Sequence, residues 1–187
     1  MTVRGRKRKP GQRYPSGKRT RHETEREAMS AVIEARRRHY GVTAKQARDE
    51  RLGTALGRLA WQGTISQVQY EAGREFGELY LRHHLTLGLP LPSPRSVAGI
   101  LVNEGIFGGT SREPDDDVVD RLRRRLDAAT DALDQCDHDH RMSPGRRPVL
   151  LVYRVVCTDE NTTLWPEEDL GNLRVALNAL VRVFRFV

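Results

Sequence analysis

Two short stretches of the chain carry residue types that could do chemistry. In CDHDH, Cys136, His138 and His140 alternate with Asp137 and Asp139. An extended backbone would put the thiol and both imidazoles on one side, which is part of a zinc donor set. A structural zinc needs a fourth ligand, and no second CxxC or HxxxH supplies one. The favoured reading is an acidic, polar loop over 137–147, with no metal bound. His83 and His84 fall near the end of an expected helix, where they would meet its last carbonyls. Asp115, Asp116 and Asp117 are consecutive and suit a helix start better than an acid–base pair. There is no GxSxG, Walker A or HExxH pattern. These residues predict an adapter with no catalytic residue and no cofactor, and not an enzyme.

The other chemistry is electrostatic. Residues 1–22 hold nine cations, Arg4, Arg6, Lys7, Arg8, Lys9, Arg13, Lys18, Arg19 and Arg21, and no acid. The remaining residues carry 23 basic and 25 acidic side chains, so the net charge of +7 belongs to this arm. Gly5, Pro10, Gly11, Pro15, Ser16 and Gly17 punctuate it, and little apolar area is there to offset ordering entropy. A disordered basic arm that follows a phosphate backbone, or lies in an A·T minor groove, is expected. Tyr14 is its one aromatic residue, which argues against stacking on single strands. Gly5-Arg6 resembles the core of an AT-hook, but Lys7 follows where that motif has Pro. Nucleic acid is the expected partner, the alternatives being an acidic protein, the inner face of a capsid or a solubilising tail.

The elements that position these residues read as all-α. The expected order is the arm 1–22, a helical domain 23–88, a Pro/Gly-rich linker with a short apolar segment 89–110, and a C-terminal helical region 111–187. A helix over 23–39 carries Met29, Val32 and Ile33 and stops at Gly41. Thr43 is placed to cap a second helix, 44–62, and Ser66 or Thr64 a third, to about Leu87. Together they make a helical hairpin. Gly53 and Gly57, then Gly73 and Gly77, are spaced by four; each costs about 1 kcal/mol in a helix relative to Ala, so they predict close helix packing. If Ser66–Tyr80 were the recognition helix of a helix-turn-helix, Gln67, Gln69 and Arg74 would contact bases. Glu71, Glu75 and Glu78 would then face phosphates, and a plain packing hairpin is the other reading. A helix from about 115 to 136 shows Val118, Val119, Leu122, Leu126, Ala129 and Leu133 at helical spacing. Val149 to Cys157 fits a buried strand or a short helix; helix is favoured because no partner strand is evident. Pro166 opens a last helix to Phe184. Two cysteines make no disulfide framework, no apolar run is long enough for a membrane span, and no leader is evident, so a soluble intracellular protein is expected.

The stretches RGRKRKPGQRYPSGKR and LGRLAWQGTISQVQYEAGREF, a Pro-rich break and a Leu-rich C-terminal helix together resemble small proteins of tailed bacteriophages and prophages, most sharply the small terminase subunits. That resemblance implies an all-α DNA-recognition subunit that forms homo-oligomeric rings in the bacterial host cytoplasm, lacks the ATPase and works beside a large terminase. It would assign DNA contact to Arg4–Arg21 and the 44–87 hairpin, and assembly to the helix near 115–136. A virion component touching packaged nucleic acid, or a transcriptional regulator, are the alternative roles.

Overall fold

The computed structural model describes residues 10, 12–18, 21–90 and 116–186, with the backbone alone for 21–26. These residues are mostly helical, with no strand among them, and the chain divides into two compact units, Met1–Leu52 and Gly53–Val187. None of the described helices is long and apolar enough to cross a membrane.

In the first unit, α1 spans Arg21–Tyr40 and ends at Gly41, whose φ of 62° is the left-handed conformation that glycine adopts freely. Thr43 then makes a reciprocal cap with Gln46. Its N–H and hydroxyl donate to Gln46 Oε1, and its hydroxyl accepts the Gln46 N–H. The expected helix 44–62 is α-helical only in its second half, over Ala55–Trp61, and its first half does not form. Two 3-10 turns, Gln46–Arg48 and Glu50–Gly53, take its place. The cause is Asp49, which is extended and accepts the Arg51 N–H at 3.0 Å, a local side-chain turn that competes with helix propagation.

In the second unit, Thr54 caps α2, Ala55–Trp61, through the Gly57 N–H, and the carboxylate of Asp159 accepts the Ala55 N–H from outside. Ser66 and Gln69 form a capping box at the start of α3, Gln67–Thr86. Then come α4, Asp116–Asp139, and α5, Pro148–Val152, which runs directly into a π turn at Tyr153–Cys157. The apolar 149–157 stretch is therefore helical. Pro166 precedes α6, Glu167–Phe184, as its N-cap. α3 packs against α2, α4, α6 and the π turn, around the fully buried Phe76, Leu133, Leu151, Leu173, Leu177 and Leu180. Residues 53–88 and 116–186 thus share one core, and the expected division into 23–88 and 111–187 gives way to a boundary at Leu52/Gly53.

The glycine spacing divides in the same way. On α3, a Cβ at Gly73 would lie 2.8 Å from Leu56 and 3.0 Å from Leu177, and one at Gly77 would lie 2.7 Å from Val156. The close approach is real on α3, but it is made to three elements and not to one hairpin partner. Gly57 is buried and its N–H completes the cap of α2. Gly53 is exposed at the end of a 3-10 turn, outside any α-helix, so helix packing does not explain it.

A polar clasp closes the second unit. The Asp169 carboxylate, 2% exposed, accepts the Arg146 backbone N–H at 2.6 Å and its guanidinium Nε at 2.8 Å. Asn172 donates to the carbonyls of Pro144 and Arg146, and Gly145, at φ 92°, lets the loop lie against both side chains. Burial pushes the Asp169 carboxyl up, but the hydrogen bonds and charge of Arg146, with the charge of Arg154, outweigh it and leave it below the usual carboxylate range.

Two outcomes are expected. Gly171, also in α6, has open space where a Cβ would go, so Gly171→Ala should stabilise by about 0.5–1 kcal/mol, whereas Gly73→Ala should destabilise by about 1–2 kcal/mol because overpacking exceeds that gain. Denaturant titrations of both variants check this, and equal shifts would contradict it. Because folding depresses the Asp169 pKa, its contribution is present above about pH 4 and is lost as pH falls through the folded value. Asp169→Asn should therefore cost about 3 kcal/mol at neutral pH, with the gap to the parent narrowing on acidification. A pH-independent gap would show that the charge is not what matters.

Candidate nucleic-acid interface

Of the expected arm contacts, Arg4, Arg6, Lys7, Arg8, Lys9 and Arg19 lie outside the described residues. Arg13 and Lys18 bracket a turn. The Gly17 N–H donates to the Tyr14 carbonyl and the Tyr14 N–H to that of Lys18, both at 2.8 Å. Arg13 reaches across to the Gly17 carbonyl at 2.8 Å. This part of the arm is ordered by Tyr-Pro-Ser-Gly, with Pro15 supplying the fixed φ of a turn's second position and Gly17 at φ 80°. The signal is readable in the sequence, but composition alone conceals it. Arg21 opens α1.

The helix α3 is differently committed. Gln67 donates to Glu71 at 2.9 Å, and Arg74 lies 3.5 Å from Glu78. Gln69 is not free to read a base: its carbonyl accepts the Ser66 N–H in the capping box, and its amide donates to Asn178 of α6 at 2.8 Å. One face of α3 packs against four other elements, while Gln67 and Arg74 lie on its exposed face.

The CDHD part of the CDHDH stretch lies on α4 and its turn, not in a loop. On a helix, alternate residues face apart: Cys136 is buried, His138 is largely exposed, and His140 stacks back on the Cys136 carbonyl at 3.0 Å. Among the described residues, no group of three His, Cys, Asp or Glu side chains is placed to hold a metal. Asp137, expected in the polar loop, is buried; it accepts the Val149 N–H at the start of α5 and pairs with Arg147 at 2.8 Å. Burial pushes the Cys157 thiol up to about 12. It also pushes His83 below its ordinary value, with His84 and Arg123 adding to the effect and Asp127 opposing it.

Charge separates the two units. Met1–Leu52 hold 16 basic and six acidic side chains, a net of +10, while Gly53–Val187 hold 16 and 19, a net of −3. No family model matches the chain, and no curated protein or solved structure matches it either.

Gln69→Ala should lower stability by about 1–2 kcal/mol, from the lost cap and the lost bond to α6, and leave DNA affinity within twofold. A mobility-shift titration beside a melting curve checks both. Weaker DNA binding with unchanged melting would return Gln69 to base recognition.

Proposed function

We propose that the chain binds duplex DNA through the cations of Met1–Leu52 and carries no chemistry of its own, with Gly53–Val187 as the helical scaffold. The observation that carries this reading is the charge division, +10 against −3. A cationic segment gains affinity for DNA by releasing condensed counterions, which needs density of charge and no particular fold. Arg13 and Lys18, flanking a Pro/Gly turn, add two cations whose spacing is fixed before binding. In its sharper form, the proposal is a small-terminase-like adapter of a tailed phage or prophage. Such an adapter would self-assemble in the host cytoplasm and hand DNA to a larger motor protein.

Deleting residues 1–20 leaves α1 whole and removes eight cations. If each neutralises one phosphate, the slope of log affinity against log salt should shrink by up to about 7. A salt series of mobility shifts on random-sequence duplex reads this directly, and an unchanged slope would reject the arm as the DNA contact.

A further inference from the structure

Residues 35–48 carry Arg36, Arg37, Arg38, Lys45 and Arg48 and no acid. They fold into one corner, because the first 3-10 turn packs against α1. Arg36 builds that corner: its Nη1 donates to the carbonyls of Ala47 and Asp49, both at 3.1 Å, tying the turn back to the helix. The left-handed Gly41 and the Thr43–Gln46 cap fix the bend between them.

The remaining cations stay available. Arg37 and Arg38 share the single carboxylate of Glu34, at 3.0 and 3.1 Å, which leaves that trio with net positive charge. Exposed pairs of this kind are weak, so a phosphate can replace the carboxylate at little cost. Lys45 and Arg48 are exposed and have no ion-pair partner among the described residues. The arginines of α4, over 121–125, are flanked by Asp116, Asp117, Asp120 and Asp127, and Arg125 pairs with Glu75.

We propose that this corner is a second phosphate-binding surface for duplex DNA, presenting Arg37, Arg38, Lys45 and Arg48 on a rigid frame. The proposal rests on the reading of Met1–Leu52 as the DNA-binding unit and extends it from the arm to a folded element. The geometry suits a duplex. The arm leaves one end of α1 and the corner forms the other, and 20 residues at about 1.5 Å each separate them by about 30 Å. One turn of B-DNA is about 34 Å. A single duplex lying along α1 meets the corner about one turn from the point where residues 1–20 join the helix. Because the corner is ordered before binding, its contacts lose less conformational entropy than those of a free arm.

The test uses the full chain and a 30-base-pair duplex of random sequence. Lys45→Gln with Arg48→Gln removes two exposed charges, and Arg124→Gln with Arg141→Gln removes two from the other unit as a control for net charge. The corner variant should lower the salt slope by about 2 and the affinity by about tenfold at 0.1 M salt, with the control within twofold of the parent. Each single corner variant should lower the slope by about 0.9. A corner variant that behaves like the control overturns the proposal. Repeating the pair on the chain lacking residues 1–20 separates the two claims. A corner effect that persists there supports the corner whatever the arm contributes, and its absence from both chains overturns the corner while leaving the arm standing.

Discussion

The carboxylate of Asp169 is the constraint on which the Gly53–Val187 unit depends. Taking a carboxylate out of water costs several kcal/mol unless charge and hydrogen bonds replace the solvent. Arg146 supplies both, with its backbone N–H and its guanidinium on the same two oxygens. The same guanidinium lies 4.3 Å from the centre of the Trp165 ring and 3.5 Å from Glu160, which also takes Arg154 and the Trp165 indole N–H. One arginine therefore fixes the loop before α5 to the first turn of α6 and to the segment between them. Once that loop is fixed, Pro148 is buried at the start of α5 and the π turn is placed with Val156 against Gly77. Asp159, just beyond the π turn at φ 52°, is then in position to cap α2.

Several acids of this unit are spent on its own construction. Asp137 caps α5, Asp159 caps α2, Asp169 holds the clasp, and Glu75 takes Arg125 of α4 at 2.8 Å. Several of its cations are paired in turn, Arg146 with Asp169, Arg147 with Asp137 and Arg154 with Glu160, and the 35 charged side chains of the unit sum to a net of −3. The first unit is built on a different principle. Its framing contacts include carbonyls and amides, such as Arg36 on two backbone oxygens and Gln46 on Thr43, beside the Arg51–Asp49 pair, and its 16 basic side chains still outnumber its six acids.

What was legible in the sequence was whatever depends on near neighbours. The capping box at Ser66–Gln69, the stop at Gly41, the Pro166 start and the long periodic helix α4 all follow from residues within a turn or two. The helical state of 149–157 followed from the lack of candidate partner strands. Illegible were the roles set by distant partners. Asp137 reads as loop because the N–H it caps is 12 residues away, and Gln69 reads as a surface contact because Asn178 is 109 residues away. The first half of the helix expected over 44–62 fails on a local conflict. Thr43 and the alanines favour a helix while the Asp49 side chain offers the backbone another partner, and pattern does not weigh those two. The turn at Tyr14–Gly17 was legible and hidden only by the charge around it.

Affinity and placement then separate on physical grounds. A segment dense in cations adds charge, and the free energy gained from counterion release is insensitive to sequence and to register. A folded corner adds less charge but holds it at a fixed distance from the start of α1. Gln69, one of the α3 residues expected to read bases, is instead tied to Asn178 of α6. On the proposed reading, phosphates supply both kinds of contact, and what the protein distinguishes is the shape of a duplex. A grip spanning one helical turn rewards DNA whose backbone keeps that spacing, and it penalises single strands, which cannot present phosphates to both ends of a straight 30 Å helix without losing their own freedom.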